Sequence, residues 1–444
     1  MRTDPMRVFL AIFAALTFAA GCGDDDGDTT DPGDDLPGTD LGVTDDAGGE
    51  DPDGGPVPET IDRYIATVYD TDSEITYLAE LDALTGTADF TGTQVVGSTI
   101  AVGFGDDPYV YIGSSASSTI GRYEFTVDGM VLDEEIDLLN EGTTATSGYQ
   151  SHLILVDRTK AYYIDVPNNQ LVIWNPTEMT ITGSEDFSAP IAMADMRSGI
   201  GGFPVQVGTK LFYGVGWLDA TTLEVVGGAA VLVIDTTDDT AELVRDPAQR
   251  CGYSFSVAEG TDGLYVATEA YGAASHALGD SEFEPCMVRF DPEAETFDAS
   301  YEQDLTALVD GAPAGTIVPG PAAGQAYLRV LDESALPCTL AQWSMGDASC
   351  PAGGGGPRAR LMSIQPAWKW FELTLGDEAA ATEMPEAALT SGATLGIQTG
   401  TEVLVPEFAD STTDIRDFTG NTYGDIVVES PGTIRSVIHV SRTE

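Results

Sequence analysis

The hydrophobic positions of this chain fall into short stretches separated by turn residues. The stretches are rich in Val, Ile, Tyr, Phe and Thr, the residues between them are mostly Gly, Asp, Asn and Pro, and no amphipathic helical pattern runs for any distance. This punctuation is typical of β-strands joined by tight turns. Strand–turn–strand units are predicted at 75–90, 118–138, 169–187, 229–244, 285–305 and 359–375.

Further strands precede most of these hairpins. Second strands are predicted at 106–115, 157–167, 208–218, 261–272, 324–332 and 400–408. Innermost strands are predicted at 151–156, 202–207 and 253–260. A four-stranded unit that repeats along the chain predicts an all-β fold, a β-propeller whose blades each have four antiparallel strands.

The two ends of the predicted propeller (61–444) are expected to meet in one blade. The hairpin at 61–90 and the final strands at 425–442 would share this closing blade, and such closure removes open sheet edges. Together with the units between them, this predicts seven blades. Six or eight blades are alternatives, as is a pair of β-sandwiches.

The N-terminus has the features of a lipoprotein signal peptide (1–21). Val8–Ala20 is apolar except for Thr17, and this run is too short to span a bilayer, which takes about 20 residues. The letters AAGC then resemble a bacterial lipobox, which predicts lipidation of Cys22. Gly23 follows, and the absence of Asp there favours the outer membrane. Secretion without an anchor is the alternative.

An acidic segment separates the signal peptide from the predicted propeller. Residues 22–60 contain no Lys or Arg and are dominated by Asp, Gly, Thr and Pro, so they have nothing to bury and are predicted to form a disordered tether. A calcium-binding tail is the alternative. The whole chain has 73 acidic and 18 basic residues, which excludes the basic stripes of nucleic-acid binding.

Four cysteines follow Cys22, and an even number in an exported protein suggests disulfides. Three pairings are possible among them. The most local pairs are Cys251–Cys286 and Cys338–Cys350.

No catalytic, cofactor or metal signature is present. The chain lacks the nucleophile elbow, zinc, phosphate-loop and dinucleotide motifs, so no cofactor is expected. The Gly-rich run at 353–360 is interpreted as a flexible loop. The acidic runs at 70–74 and 235–239 are interpreted as turns, with calcium as the alternative.

Candidate ligand-binding residues are those expected at the wide end of the channel. They precede or begin predicted inner strands, or lie in a loop of the fifth unit, and structural roles are the alternative for each. The candidates are Tyr149, His152, Arg197, Arg250, Tyr253, Tyr271 and His276.

The overall layout resembles the siderophore-associated propeller lipoproteins. The resemblance rests on the GCGDDDG start, the acidic linker and strand stretches such as SGYQSHLILVDRTKAYYID and FPVQVGTKLFYGVGW. It implies a monomeric, lipid-anchored binding protein that captures a ferric siderophore or similar chelate without catalysis, beside an envelope receptor. An envelope protein-interaction scaffold and a propeller hydrolase or lyase are the alternatives.

Overall fold

The computed structural model describes residues 60–443 except 127, 147, 192, 194, 348–349, 351–356, 394–396, 400–401, 410–411 and 419–424. The predicted signal peptide, Cys22 and all but the last residue of the predicted tether lie outside the described residues. Asp62–Arg442 form one compact unit. No described helix is long and apolar enough to cross a membrane.

The described strands form the seven sheets of a β-propeller. From the innermost strand outwards, the first blade contains β30 (Thr433–Thr443), β1 (Thr60–Asp70), β2 (Ile75–Leu81) and β4 (Thr93–Val96). In the same inner-to-outer order, the second contains β5 (Thr99–Gly103), β6 (Tyr109–Ser114), β7 (Thr119–Thr126) and β8 (Gly129–Asp137). The third contains β9 (Leu153–Asp157), β10 (Lys160–Asp165), β11 (Gln170–Asn175) and β12 (Thr180–Asp186).

The fourth blade contains β13 (Met196–Val207), β14 (Lys210–Asp219), β15 (Val225–Asp235) and β16 (Thr240–Arg245). The fifth contains β17 (Ser256–Glu259), β18 (Leu264–Ala267), β19 (Cys286–Asp291) and β20 (Thr296–Asp304). The sixth contains β21 (Ala314–Pro319), β22 (Gln325–Leu331), β23 (Pro366–Thr374) and β24 (Ala380–Glu383), with β25 (Thr390–Ser391) beside β23. The seventh contains β26 (Ile397–Thr399), β27 (Glu402–Ala409), β28 (Thr412–Asp417), β29 (Ile426–Ser430) and β3 (Gly86–Thr87).

The last strand of the chain closes the ring, as the sequence predicts, but β29, which was predicted for the same blade, belongs to the seventh blade. β30 is the innermost strand of the first blade, whose other strands come from the N-terminal part of the propeller. The Thr67 side chain bonds the backbone of Ser436. The hydroxyl of Ser436 accepts the N–H of Ala101 at 3.0 Å, which joins the first and second blades. The seven-bladed prediction is therefore confirmed.

The core lies between neighbouring blades, which explains the hydrophobic pattern. Middle strands such as β10 and β14 have long buried runs because a blade covers each face. The outermost strand β12 alternates between exposed and partly buried positions. Between the third and fourth blades, Tyr162 packs with Tyr213 and Trp217.

Two connections between second and third strands contain helices. In the fifth blade, α2 (Ala270–Ala277) lies between β18 and β19. In the sixth blade, α3 (Leu340–Met345) and α4 (Arg358–Ser363) lie between β22 and β23. The prediction of a strand hairpin over 359–375 was wrong in its first half, where α4 forms. The remaining helix, α1 (Ser188–Ile191), precedes β13.

Both predicted disulfides are present. Cys251–Cys286 joins the loop before β17 to β19. Cys338–Cys350 closes a loop within the insertion of the sixth blade. Each cysteine pairs with its nearest partner in sequence. The two disulfides therefore stabilise separate loops, one in the fifth blade and one in the sixth.

Candidate functional site

The starts of the inner strands and the helical insertions lie at the same end of the propeller. The first three strands of a blade run antiparallel to one another in turn. The start of the first strand therefore lies at the same end as the end of the second and the start of the third. This end is called the mouth. The insertions that contain α2 and α4 connect second to third strands, so they too belong to the mouth.

His152 holds the loop that presents Tyr149. It lies in a 3-10 turn directly before β9 and is buried. Its Nδ1 accepts the N–H of Tyr149 at 3.3 Å, and its Nε2 lies 3.0 Å from the carbonyl oxygen of Ile200. Burial lowers the pKa of His152 to about 4, so the ring is neutral, with Nε2 donating to Ile200. His152 therefore positions Tyr149.

The residue before Tyr149 must be glycine. Gly148 has φ +136°, and a Cβ atom there would lie 2.3 Å from Nδ1 of His152. A side chain at this position would displace the imidazole. The sequence GYQSH thus fixes both the turn and the exposed Tyr149 ring, which lies 5.4 Å from that of His152.

Tyr253 is the centre of an aromatic row at the mouth. Its ring stacks on Phe255 at 4.4 Å and lies 5.1 Å from that of Tyr271. The backbone of Tyr253 is left-handed, with φ +55°, a conformation that costs free energy in residues other than glycine and recurs at functional sites. Tyr271 is buried, and its hydroxyl donates to the carbonyl oxygen of Leu223 at 2.6 Å. Tyr271 therefore supports Tyr253 from the side.

Glu269 links this aromatic row to α2. Its carboxylate accepts the N–H of Tyr271 at 2.6 Å and caps the helix, and its own N–H donates to the carbonyl oxygen of Tyr253 at 3.0 Å. Burial raises the pKa of Glu269, whereas the hydrogen bond that its carboxylate accepts from Tyr271 and the charges of Arg360 and Arg329 oppose that rise. The Glu269 carboxylate therefore lies near the positive charges of Arg360 and Arg329.

Tyr149 reaches residues of several blades. The Tyr149 side chain is partly exposed, but the protein atoms around it desolvate its hydroxyl and raise its pKa. The charges of Arg360, Glu269 and Arg435 lie close enough to change that pKa further. These neighbours belong to the sixth blade, the fifth blade and the closing strand, while Tyr149 precedes the third. A side chain can approach all of these blades only near the propeller axis. We call Tyr149, Tyr253, Glu269, Tyr271, Arg360 and Arg435 the mouth cluster.

The structure brings three of the predicted site residues together and places the others elsewhere. Tyr149, Tyr253 and Tyr271 belong to the mouth cluster, and His152 lies beneath Tyr149. Arg250 lies against the outermost strand of the fifth blade, where its guanidinium bonds Asp246 and two backbone carbonyl oxygens, so it is not part of the cluster.

Arg197 and His276 have other surroundings. Arg197 pairs with Leu218 in the part of β13 and β14 that extends beyond the bulge between Gly201 and Val205. His276 lies in the last turn of α2, and its Nδ1 is buried without a hydrogen-bond partner among the described residues. Neither is among the residues whose charges act on Tyr149.

Sequence reasoning missed Glu269, Arg360 and Arg435. Arg360 lies in the run interpreted as a flexible loop. Arg435 lies in a predicted strand whose only assigned role is to close the ring. One signal was available, because Lys and Arg are scarce in this chain. The stretch PGTIRSVIHV around Arg435 contains no acidic residue that could pair with it.

The acidic runs behave as turns. Asp70 accepts the hydroxyl of Ser73 at 2.6 Å and the N–H of Asp72 at 3.0 Å. Asp235 accepts the N–H of Thr237 at 2.9 Å. Within the part of the chain that the structure describes, no group of three or more His, Cys, Asp or Glu side chains is arranged to hold a metal ion.

Comparisons with known proteins identify the fold alone. No family model matches the chain, and no curated protein matches it. A protein of known structure from Lactobacillus plantarum aligns with a TM-score of 0.51 at 11% identity, over 85% of this chain and 99% of that one.

Two further solved structures are similar at lower scores. A putative 6-phosphogluconolactonase from Bacteroides uniformis has a TM-score of 0.49 at 11% identity, over 86% of this chain and 100% of that one. The Cps50 (Swd1) β-propeller domain of Myceliophteria thermophila has a TM-score of 0.37 at 8% identity, over 72% of this chain and 81% of that one. At these identities the activities of the relatives do not transfer to this chain.

Proposed function

We propose that this chain is an exported, lipid-anchored binding protein that captures a small ligand at the mouth cluster without catalysing a reaction. A ferric siderophore or similar chelate is the ligand that the sequence resemblance suggests. The acylated Cys22 and the acidic tether would hold the propeller at the outer membrane. The observation that carries the binding role is the row of stacked and adjoining rings at Tyr253, Phe255 and Tyr271. Charged groups of the fifth and sixth blades and the closing strand lie near Tyr149 at the same end.

The chemistry of the mouth cluster suits a ligand better than a purely structural role. The hydroxyls of Tyr149 and Tyr253 form no hydrogen bond with a described residue. Burial raises the pKa of both, so both are neutral donors near pH 7. Flat aromatic surface combined with a few polar groups is typical of the residues that line small-molecule sites.

The binding role is tested by fluorescence quenching with a panel of ferric chelates. The described tryptophans are buried in the propeller and report a bound, strongly absorbing chelate. We expect saturable quenching by at least one chelate and an affinity at least about tenfold weaker in Tyr149→Ala, because contacts at the centre of a site contribute most. The matched control is Tyr77→Ala, on β2 beside Phe90. No saturable binding by the folded protein would remove the proposed function.

The anchor is tested separately. Cys22→Ser is expected to move the protein from the membrane fraction to the soluble exported fraction, because the thiol that carries the diacylglycerol is lost. Retention of the variant in the membrane fraction would contradict lipidation at Cys22.

A further inference from the structure

Resting on the proposed function, we propose that the mouth cluster recognises an anionic ligand that bears carboxylate groups, through Arg360 and Arg435. These residues come from different blades, and the charge of each lies close enough to the hydroxyl of Tyr149 to favour its ionised form. The ligand would therefore bind across the axis of the propeller, between α4 and the closing strand.

Most basic side chains that the structure describes already pair with an acidic side chain. Within the described residues, most lysines and arginines away from the mouth form ion pairs with Asp or Glu, for example Arg122, Arg289 and Lys369. In contrast, neither Arg360 nor Arg435 forms an ion pair or a side-chain hydrogen bond with any described residue. In a chain with 73 acidic residues, two arginines that no described carboxylate pairs with mark a place where an anion can bind.

Arg435 is the more constrained of the two. It lies on the innermost strand, and its Nε is buried with no hydrogen-bond partner among the described residues. Burial lowers its pKa, while Tyr149 and Tyr69 oppose that change. A buried donor without a partner costs free energy, and a carboxylate oxygen would satisfy it.

The neighbouring charges do not neutralise these arginines. Glu269 and Glu407 both act on Arg329 and favour its charged form. Glu407 in turn accepts from Nε of Arg416 at 2.6 Å. Glu269 also lies near Arg360, whose charge opposes the rise of its pKa. The two carboxylates therefore face more arginines than they can neutralise, and a net positive charge remains for a ligand. The arginines of this set are Arg329, Arg360, Arg416 and Arg435.

The insertion of the sixth blade places Arg360 at the mouth. Its two helices are held by Cys338–Cys350 and by Arg358, whose guanidinium lies 2.9 Å from a carboxylate oxygen of Asp280. Cys338, Cys350 and buried Trp343 pack in one hydrophobic cluster with Tyr271 of α2. Arg360 thus lies on a helix, α4, whose position is fixed by these contacts. Its planar guanidinium can donate two parallel hydrogen bonds to a carboxylate.

The test uses two ferric chelates of different charge on the full chain. Ferric citrate carries free carboxylates and is anionic, whereas a ferric trihydroxamate has no free carboxylate and no net negative charge. Affinities are measured for the unmodified protein and for Arg360→Gln, Arg435→Gln and Arg435→Lys. The control is Arg158→Gln, which lies at the opposite end of the propeller and pairs with Asp106 and Asp107.

We expect ferric citrate to bind at least about tenfold more weakly to each Gln variant, since a charged hydrogen bond is lost, and to bind Arg158→Gln normally. Arg435→Lys should recover part of the loss because it keeps the charge. Added salt should weaken the binding of citrate and leave that of the trihydroxamate unchanged.

The outcomes separate this inference from the proposed function. If the trihydroxamate binds at a site that Tyr149→Ala weakens, and citrate binds weakly or without dependence on the arginines, the anionic preference is wrong and the binding role stands. If the folded protein does not bind ferric citrate, the anionic preference is contradicted, and if no chelate of the wider panel binds either, the binding role is contradicted as well. Urea unfolding of each variant establishes that it is folded.

Discussion

Arg250 and Arg435 show how the same residue type serves two purposes in two regions of the propeller. Arg250 precedes β17, and its Nε bonds the buried Asp246 at 2.8 Å. Arg435 lies near the start of β30 and forms no ion pair with a described residue. The difference lies in the local sequence: a carboxylate four residues before Arg250 takes its charge, and nothing comparable precedes Arg435. Ion pairs stabilise the outer region, whereas the mouth arginines, Arg360 and Arg435, are by our proposal available to bind an anionic ligand.

The largest expected effect concerns the outer ion pair. Asp246→Ala should lower the free energy of unfolding by about 3 kcal/mol, because it leaves the guanidinium of Arg250 buried without its counter-ion. Urea unfolding measures this loss. Ligand affinity of the folded variant should not change, since Arg250 lies outside the mouth cluster.

Asp82→Ala is the matched control for that measurement. Asp82 pairs with Arg63, but its side chain is 91% exposed, so its removal should change the free energy of unfolding by less than about 0.5 kcal/mol. A loss below about 1 kcal/mol in Asp246→Ala would show that the outer pair does not stabilise the fold as described.

A smaller effect should appear at His152, the support of the mouth. Its pKa in the folded protein is about 4, against an ordinary value of 6.5, because burial disfavours the charged ring. The stability that depends on a neutral ring is complete above pH 6.5 and is lost as the pH falls towards 4. The slope should approach at most about 1.4 kcal/mol per pH unit within this window, which amounts to about 2.4 kcal/mol between pH 7 and pH 4.5.

The comparison with His152→Gln isolates this contribution. Glutamine can donate and accept hydrogen bonds but does not titrate, so the stability difference between the two proteins should shrink from pH 7 to pH 4.5. Urea unfolding at several pH values measures it. A difference that is independent of pH would mean that His152 is protonated without cost in the folded protein.

The smallest expected effect is at Arg435. Arg435→Gln should change the free energy of unfolding by less than about 1 kcal/mol, or raise it, because no ion pair with a described residue is lost and a buried charge is removed. The same unfolding measurement, set beside that of Asp246→Ala, sharpens the contrast between the two regions. A loss above about 2 kcal/mol would assign Arg435 a structural role.

The sequence predicted the blades better than the site, for a physical reason. Strand alternation and turn residues are local signals, so the hairpin at 169–187 and the inner strand at 151–156 were recognised. Tyr149 was also found, because GYQSH stands directly before such a strand. Arg360 was missed because the helix that carries it is stabilised by packing against α2 and by Cys338–Cys350, which are contacts that a short sequence window does not contain.

The sequence by itself determined the all-β repeat and the closure of the ring, because each depends on spacing along the chain. It left three cysteine pairings open, and the structure selected the most local one. Only the tertiary structure decided which charged residues meet at the axis. The closed ring brings together positions that are far apart in sequence, such as Tyr149 and Arg435. The loop before β17 places Arg250 and Tyr253 in different surroundings, although they are close in sequence. The charge that remains at the mouth follows from which arginines find a carboxylate in three dimensions.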